Sequence, residues 1–113
     1  MLTFAHPCGI ILQPKAAALF TTLRARGGNL AELIEDADTG SHNDGVESYE
    51  WGSIKWYDSY PEIRAIEEFM DRLDEEDMDG EYRFVRTGED ADDNETRGHG
   101  FEIYISRTIE WYE

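Results

Sequence analysis

The chain has 113 residues, 40% of them hydrophobic, with three tryptophans, six tyrosines and five phenylalanines. That is apolar material for one core in a chain too short for two, so a single domain over 1–113 is expected and general disorder is excluded. The 26 acidic and 10 basic residues give a formal charge of -16, which argues against a cationic nucleic-acid binder or a basic membrane-surface protein, since both need a positive contact face.

In chain order, Cys8 to Leu12 (CGIIL) is an apolar run that fits a buried strand ending at Gln13 and Pro14. Lys15 to Arg26 is rich in alanine and leucine, with Leu19, Phe20 and Leu23 as a helical stripe that Gly27 and Gly28 end. Asn29 with Glu32 reads as a capping pair for a second short helix carrying Leu30, Leu33 and Ile34. The polar stretch 38–45 is expected to be a surface loop. The aromatic segment 46–58, with Tyr49, Trp51 and Tyr57 alternating against Glu50, Ile54 and Trp56, gives the strongest case for a central strand.

Ser59 followed by Tyr60, Pro61 and Glu62 marks the start of a third helix, with Ser59 as its cap. Ile63, Ile66, Phe69, Met70 and Leu73 recur at helical spacing and should face a sheet, which leaves Glu67, Glu68, Asp71, Asp74 and Glu75 toward water. Asp79 and Gly80 signal a turn before a strand at 82–87, and the carboxylate-rich stretch 88–100 is expected to be a second surface loop. Period-two alternation from Phe101 to Tyr112 predicts a long C-terminal strand, paired with 82–87 as an antiparallel hairpin. The fold class that follows is α+β: a mostly antiparallel sheet of three or four strands with two or three helices packed on one face.

Cys8 is the one cysteine, so an intrachain disulfide and a Cys-rich zinc knuckle are excluded. A reducing, cytoplasmic setting is expected, with no targeting signal and no run near the roughly 18 residues that cross a bilayer. Asp90, Asp92 and Asn94 open like a calcium loop, yet Glu95 stands where glycine is needed and Phe101 where a bidentate glutamate should be. Glu75, Asp77, Asp79 and Gly80 match the early spacing better, but Arg86 replaces the last ligand. His6, His42 and His99 lie in separate segments without ligand spacing. Neither a nucleophile elbow nor a phosphate-cradling glycine loop is present. No metal, no cofactor and no enzymatic activity are expected.

The charge is lopsided. Residues 1–43 hold four acids and three bases, whereas 44–113 hold 22 acids and seven bases. Ordinary solvation needs a net magnitude of only roughly 2 to 8 in a small domain. The surplus points instead to a protein that occupies a basic nucleic-acid-binding surface by presenting rows of carboxylates where phosphates would sit. The candidate contact residues are Glu62, Glu68, Asp71, Asp74, Glu75, Asp77, Asp79, Asp90, Asp92 and Asp93, with Tyr60, Tyr82, Tyr104 and Trp111 as aromatic anchors. The partner expected is a basic nucleic-acid-binding protein or nuclease complex, with no direct nucleic acid and no membrane; a homodimer stays open. The alternatives are an ordinary or salt-adapted acidic structural or interaction domain and, behind it, a small enzyme.

In charge surplus, small size and an acidic third helix, residues 44–113 resemble small phage-encoded inhibitors of host defence, the anti-restriction and anti-CRISPR nucleic-acid mimics. That resemblance implies an inhibitor without a cofactor whose contact falls on Glu68, Asp71, Glu75, Asp77, Asp90 and Asp92. The segment Trp51-Gly52-Ser53-Ile54-Lys55-Trp56 is also similar to a Trp-Gly strand of some phage and plasmid proteins with ferredoxin-like domains. It implies an α+β sheet and carries no site.

Overall fold

A computed structural model describes residues 2–4, 8–52, 56–57, 59–87, 94–100 and 103–105; of 2–4, 43, 94 and 103–105 only the backbone is described. The strands are β1 (Leu2–Phe4), β2 (Cys8–Leu12), β3 (Asp38–Ser41), β4 (Glu47–Trp51), β5 (Tyr82–Thr87), β6 (Asn94–Arg97) and β7 (Ile103–Ile105). The helices are α1 (Pro14–Arg24), α2 (Gly28–Asp36) and α3 (Pro61–Glu75).

Five strands form one antiparallel sheet in the order β3-β4-β2-β5-β6, while β1 and β7 pair separately and in parallel. The centre belongs to β2, whose five residues are all buried. A strand covered on both faces has no place for a polar side chain, and CGIIL contains none. The aromatic segment 46–58 supplies β4 over Glu47–Trp51, an interior strand beside β2 and not the central one.

Both β4 and β5 run antiparallel to β2 on its two sides, so they are parallel to each other and α3 is their crossover. In the same way β2 and β3 flank β4, joined through α1 and α2. Two interleaved split β-α-β units result, the ferredoxin-like arrangement, here with α2 inserted and β6 added outside β5.

The register puts Cys8, Ile10 and Leu12 of β2, Tyr49 and Trp51 of β4, and Tyr82 and Phe84 of β5 on one face. They pack under Ala16, Phe20 and Leu23 of α1, Leu30 and Ile34 of α2, and Ile66, Phe69, Met70 and Leu73 of α3. Phe20 sits at the junction, its ring 4.8 Å from Tyr49 and 5.2 Å from Phe69. Each leucine, isoleucine, phenylalanine and methionine side chain among them contributes about 1.5–3 kcal/mol by leaving water. Ile11, Ser48 and Val85 on the opposite face are buried as well.

Several expectations need correction. Residues 38–45 are not all loop: Asp38–Ser41 is an edge strand, held by the β4 ladder despite its turn-prone sequence. Within 88–100, residues 94–97 form β6, and 88–93 lie outside the described residues. The hairpin partner of 82–87 is therefore 94–97, and the described part of the C-terminal strand, 103–105, pairs with Leu2–Phe4. Local alternation reports a strand but not which neighbour it finds, and the nearer segment closes the shorter loop. Five strands replace the expected three or four.

Neither Asn29 nor Ser59 is a cap. The N-caps are Gly27 and Tyr60, without side-chain cap bonds. Gly27 takes a positive φ of 74° that starts α2 two residues early, and Pro61 fits the first turn of α3, where its missing N–H costs nothing. No helix among the described residues is long and apolar enough to cross a membrane.

Candidate functional site: the acidic face of α3

Ten of the 26 acidic residues lie between Pro61 and Glu81, against two arginines. The segment folds as α3 followed by a 3₁₀ turn, Asp79–Glu81. The apolar stripe of α3 is buried, so geometry forces its carboxylates outward. Glu68, Asp71, Asp74, Glu75 and Asp77 are exposed, while Glu62 and Asp79 are half-buried.

Glu67, Asp71 and Asp74 fall at i, i+4 and i+7 and form one row along the helix. The row meets the guanidinium of Arg97 on β6. Arg97 Nη1 donates to Glu67 Oε1 at 2.9 Å, and Nη2 donates to Asp71 Oδ1 at 2.8 Å and to Asp74 Oδ2 at 2.9 Å. Two neutral donors complete the arrangement: Trp56 Nε1–H reaches Glu67 Oε2 at 2.6 Å, and the Tyr82 hydroxyl reaches Asp74 Oδ1 at 2.8 Å. Both oxygens of Glu67 and of Asp74 are thereby engaged. The Arg97 side chain is only 18% exposed, against 58% for Asp71 and 42% for Asp74.

Charge-assisted bonds of this length are stronger than neutral ones, and a half-buried guanidinium is screened less than a surface pair. Burial works against the charge on Arg97, but the bonds to Asp74 and Asp71 outweigh it, and its pKa rises. Burial first, and then the bond to Asp74, raise the Tyr82 phenol, with Arg97 opposing. Three carboxylates around one cation leave a local excess of two negative charges held in a defined row.

Past the end of α3 the row opens into a cleft of about 400 Å³ whose walls include Asp74, Asp77, Asp79, Arg83, Thr96 and His99. Gly98 turns the chain at its rim with φ 82°, and a Cβ there would run into the Tyr82 carbonyl. His99 Nε2 lies 3.5 Å from Asp79 Oδ2. No group of three His, Cys, Asp or Glu among the described residues is arranged to hold a metal ion.

The aromatic candidates divide. Tyr60 is 42% exposed, with its ring 5.8 Å from the exposed Tyr57. Tyr82 is wholly buried and cannot act as an interface anchor, because its ring fills the core and its hydroxyl is committed to Asp74. The Tyr104 side chain, Trp111, Asp90, Asp92 and Asp93 lie outside the described residues. Sequence reasoning missed Arg97 as the organiser of the row. The spacing of Glu67, Asp71 and Asp74 was visible, but a cation 23 residues beyond Asp74 carries no local signal.

The α1 side differs. Between Pro14 and Gly28 there is no acidic residue, while Lys15, Arg24 and Arg26 supply three positive charges. A small groove of about 80 Å³ separates α1 from α3, lined by Leu19, Leu23, Ala65, Phe69 and Leu73, with Arg26, Arg72, Glu68 and Glu76 also on its walls. Comparison of the chain with protein-family models, curated proteins and solved structures gives no match.

Proposed function

We propose that this protein is an acidic inhibitor that occupies a basic nucleic-acid-binding surface of a host-defence nuclease or surveillance complex, with α3 and the turn after it as the contact. The observation that carries the reading is the row Glu67, Asp71 and Asp74, fixed by Arg97, Trp56 and Tyr82 instead of waving on long side chains. A fixed row meets a cationic groove without first losing side-chain entropy, which is the advantage of preorganisation.

Magnitudes limit what the helix does alone. Six acids and two arginines lie on α3, which at 1.5 Å rise per residue is about one net charge per 5–6 Å, whereas duplex DNA carries one per about 1.7 Å. The helix is sparser than a duplex. A competing surface has to recruit Glu76, Asp77, Asp79 and Glu81 from the following turn, and the 400 Å³ cleft adjoins both.

The test begins with affinity capture from the native host at moderate salt and proceeds to competition between the captured protein's nucleic acid and this chain. Stoichiometric displacement of nucleic acid, lost when Glu68, Asp71 and Glu75 are changed together to lysine, supports the reading. Capture that survives those changes in a folded protein rules out this face. Contact electrostatics also require that binding weaken as salt shortens the screening length, about 8 Å at physiological ionic strength.

A further inference from the structure

We infer that Arg97 is a positioning residue of the acidic face: it holds Glu67, Asp71 and Asp74 in register from the neighbouring edge strand, and recognition of a cation depends on it although it is itself a cation. The inference rests on the proposed reading of that face and adds how the face is set.

Three features lead to it. Arg97 is mostly buried and touches three carboxylates at 2.8–2.9 Å, so it does not behave as a loose surface counter-ion. It sits on β6, which among the described strands is hydrogen-bonded to β5 alone, so the same contacts tie the sheet edge to the helix layer. Glu67 and Asp74 each turn their second oxygen to a buried or half-buried donor, Trp56 or Tyr82, which fixes the plane of each carboxylate. A guanidinium serves several acceptors at once with a rigid fork, whereas a lysine ammonium on a flexible stem is a point charge.

Counting charge and considering geometry give opposite predictions for Arg97→Gln. The substitution makes the protein one unit more negative, so net charge alone predicts tighter binding of a cation. Loss of the row predicts weaker binding. Arg26→Gln, in the turn after the acid-free helix and away from the row, makes the same change in charge and is the control.

The experiment measures binding of a synthetic oligo-arginine peptide by fluorescence anisotropy at low salt. In parallel it follows hydrogen exchange at the Trp56 indole N–H and the β6 amides, in variants whose thermal melts show a folded core. The expected result for Arg97→Gln is about tenfold weaker peptide binding, with faster exchange at Trp56 and β6 and unchanged exchange in β2. Arg26→Gln binds as tightly as the wild type or more so. Arg97→Lys, which keeps the charge and the apolar stem, shows the same loosening to a smaller degree and serves if the glutamine variant does not fold.

Peptide binding by Arg97→Gln that equals or exceeds that of the wild type overturns the positioning role, as does unaccelerated exchange at Trp56 and β6. If the wild type does not bind the peptide while exchange still accelerates in Arg97→Gln, the cation-binding reading of the face fails and the structural role of Arg97 stands.

Discussion

Helices α1 and α3 solve the same packing problem and present opposite surfaces. Each starts with a proline in its first turn, lays an apolar stripe on the sheet, and sends a phenylalanine, Phe20 or Phe69, to a shared edge-on contact. Outside, α1 carries Lys15 and Arg24 with no acid, whereas α3 carries six acids and two arginines. Packing therefore does not dictate the charge of α3, because the neighbouring helix folds onto the same sheet without it. For Glu62, Glu68 and Glu75 the difference lies on the link from surface to function, whereas Glu67, Asp71 and Asp74 also tie β6 to the helix layer through Arg97.

The largest effect should fall on what the helices share. Phe20→Ala and Phe69→Ala are each expected to cost about 3–5 kcal/mol in denaturant unfolding, with Phe20 at the upper end because it is completely buried. Equal and small losses would break the picture of one common core.

A smaller effect concerns interior groups beneath both helices. Burial pushes the Cys8 thiol from 9.0 up to about 12, against the lowering effect of Arg86, and burial together with the Glu47 bond pushes the Tyr49 phenol from 10.0 up to about 12. Groups held neutral in the fold and freer to ionise when unfolded stabilise the fold below their unfolded pKa. Their contribution should disappear as pH rises from about 9 toward 12. Denaturant melts across that range should show falling stability, and iodoacetamide at pH 8 should modify Cys8 only as fast as the chain unfolds.

Tyr82→Phe removes one bond to Asp74, whose carboxylate is 42% exposed and can turn to water. It should cost about 1 kcal/mol. Smallest of all, Arg26→Glu and Glu68→Lys should each change stability by less than about 0.5 kcal/mol. They sharpen the comparison because only the second should weaken binding to a basic partner.

Much of the fold was legible in the sequence because its signals are local. The run CGIIL, the glycine pair at 27 and 28, and the stripe Ile63 to Leu73 each report burial or a chain break within a few residues. The two edge strands were not legible, since Asp38–Ser41 and Asn94–Arg97 are polar and owe their conformation to ladders with β4 and β5. The same reason hid part of the candidate site. The carboxylates of α3 announced themselves by spacing, but Arg97 stood in a stretch read as loop, and only the β5–β6 pairing brings it to the helix. Tyr82 looked like an exposed aromatic in a strand and is instead a core ring. Residue type alone did not say which face of the strand it would occupy.

The most direct measurement of the central claim is an NMR titration of the labelled protein with its basic partner or with an oligo-arginine peptide, read residue by residue at two salt concentrations. Amide shifts should gather on Glu68, Asp71, Glu75 and Asp77 and shrink as salt rises, while Lys15 to Arg26 stay still. Shifts spread evenly over the molecule, or centred on α1, would contradict that claim.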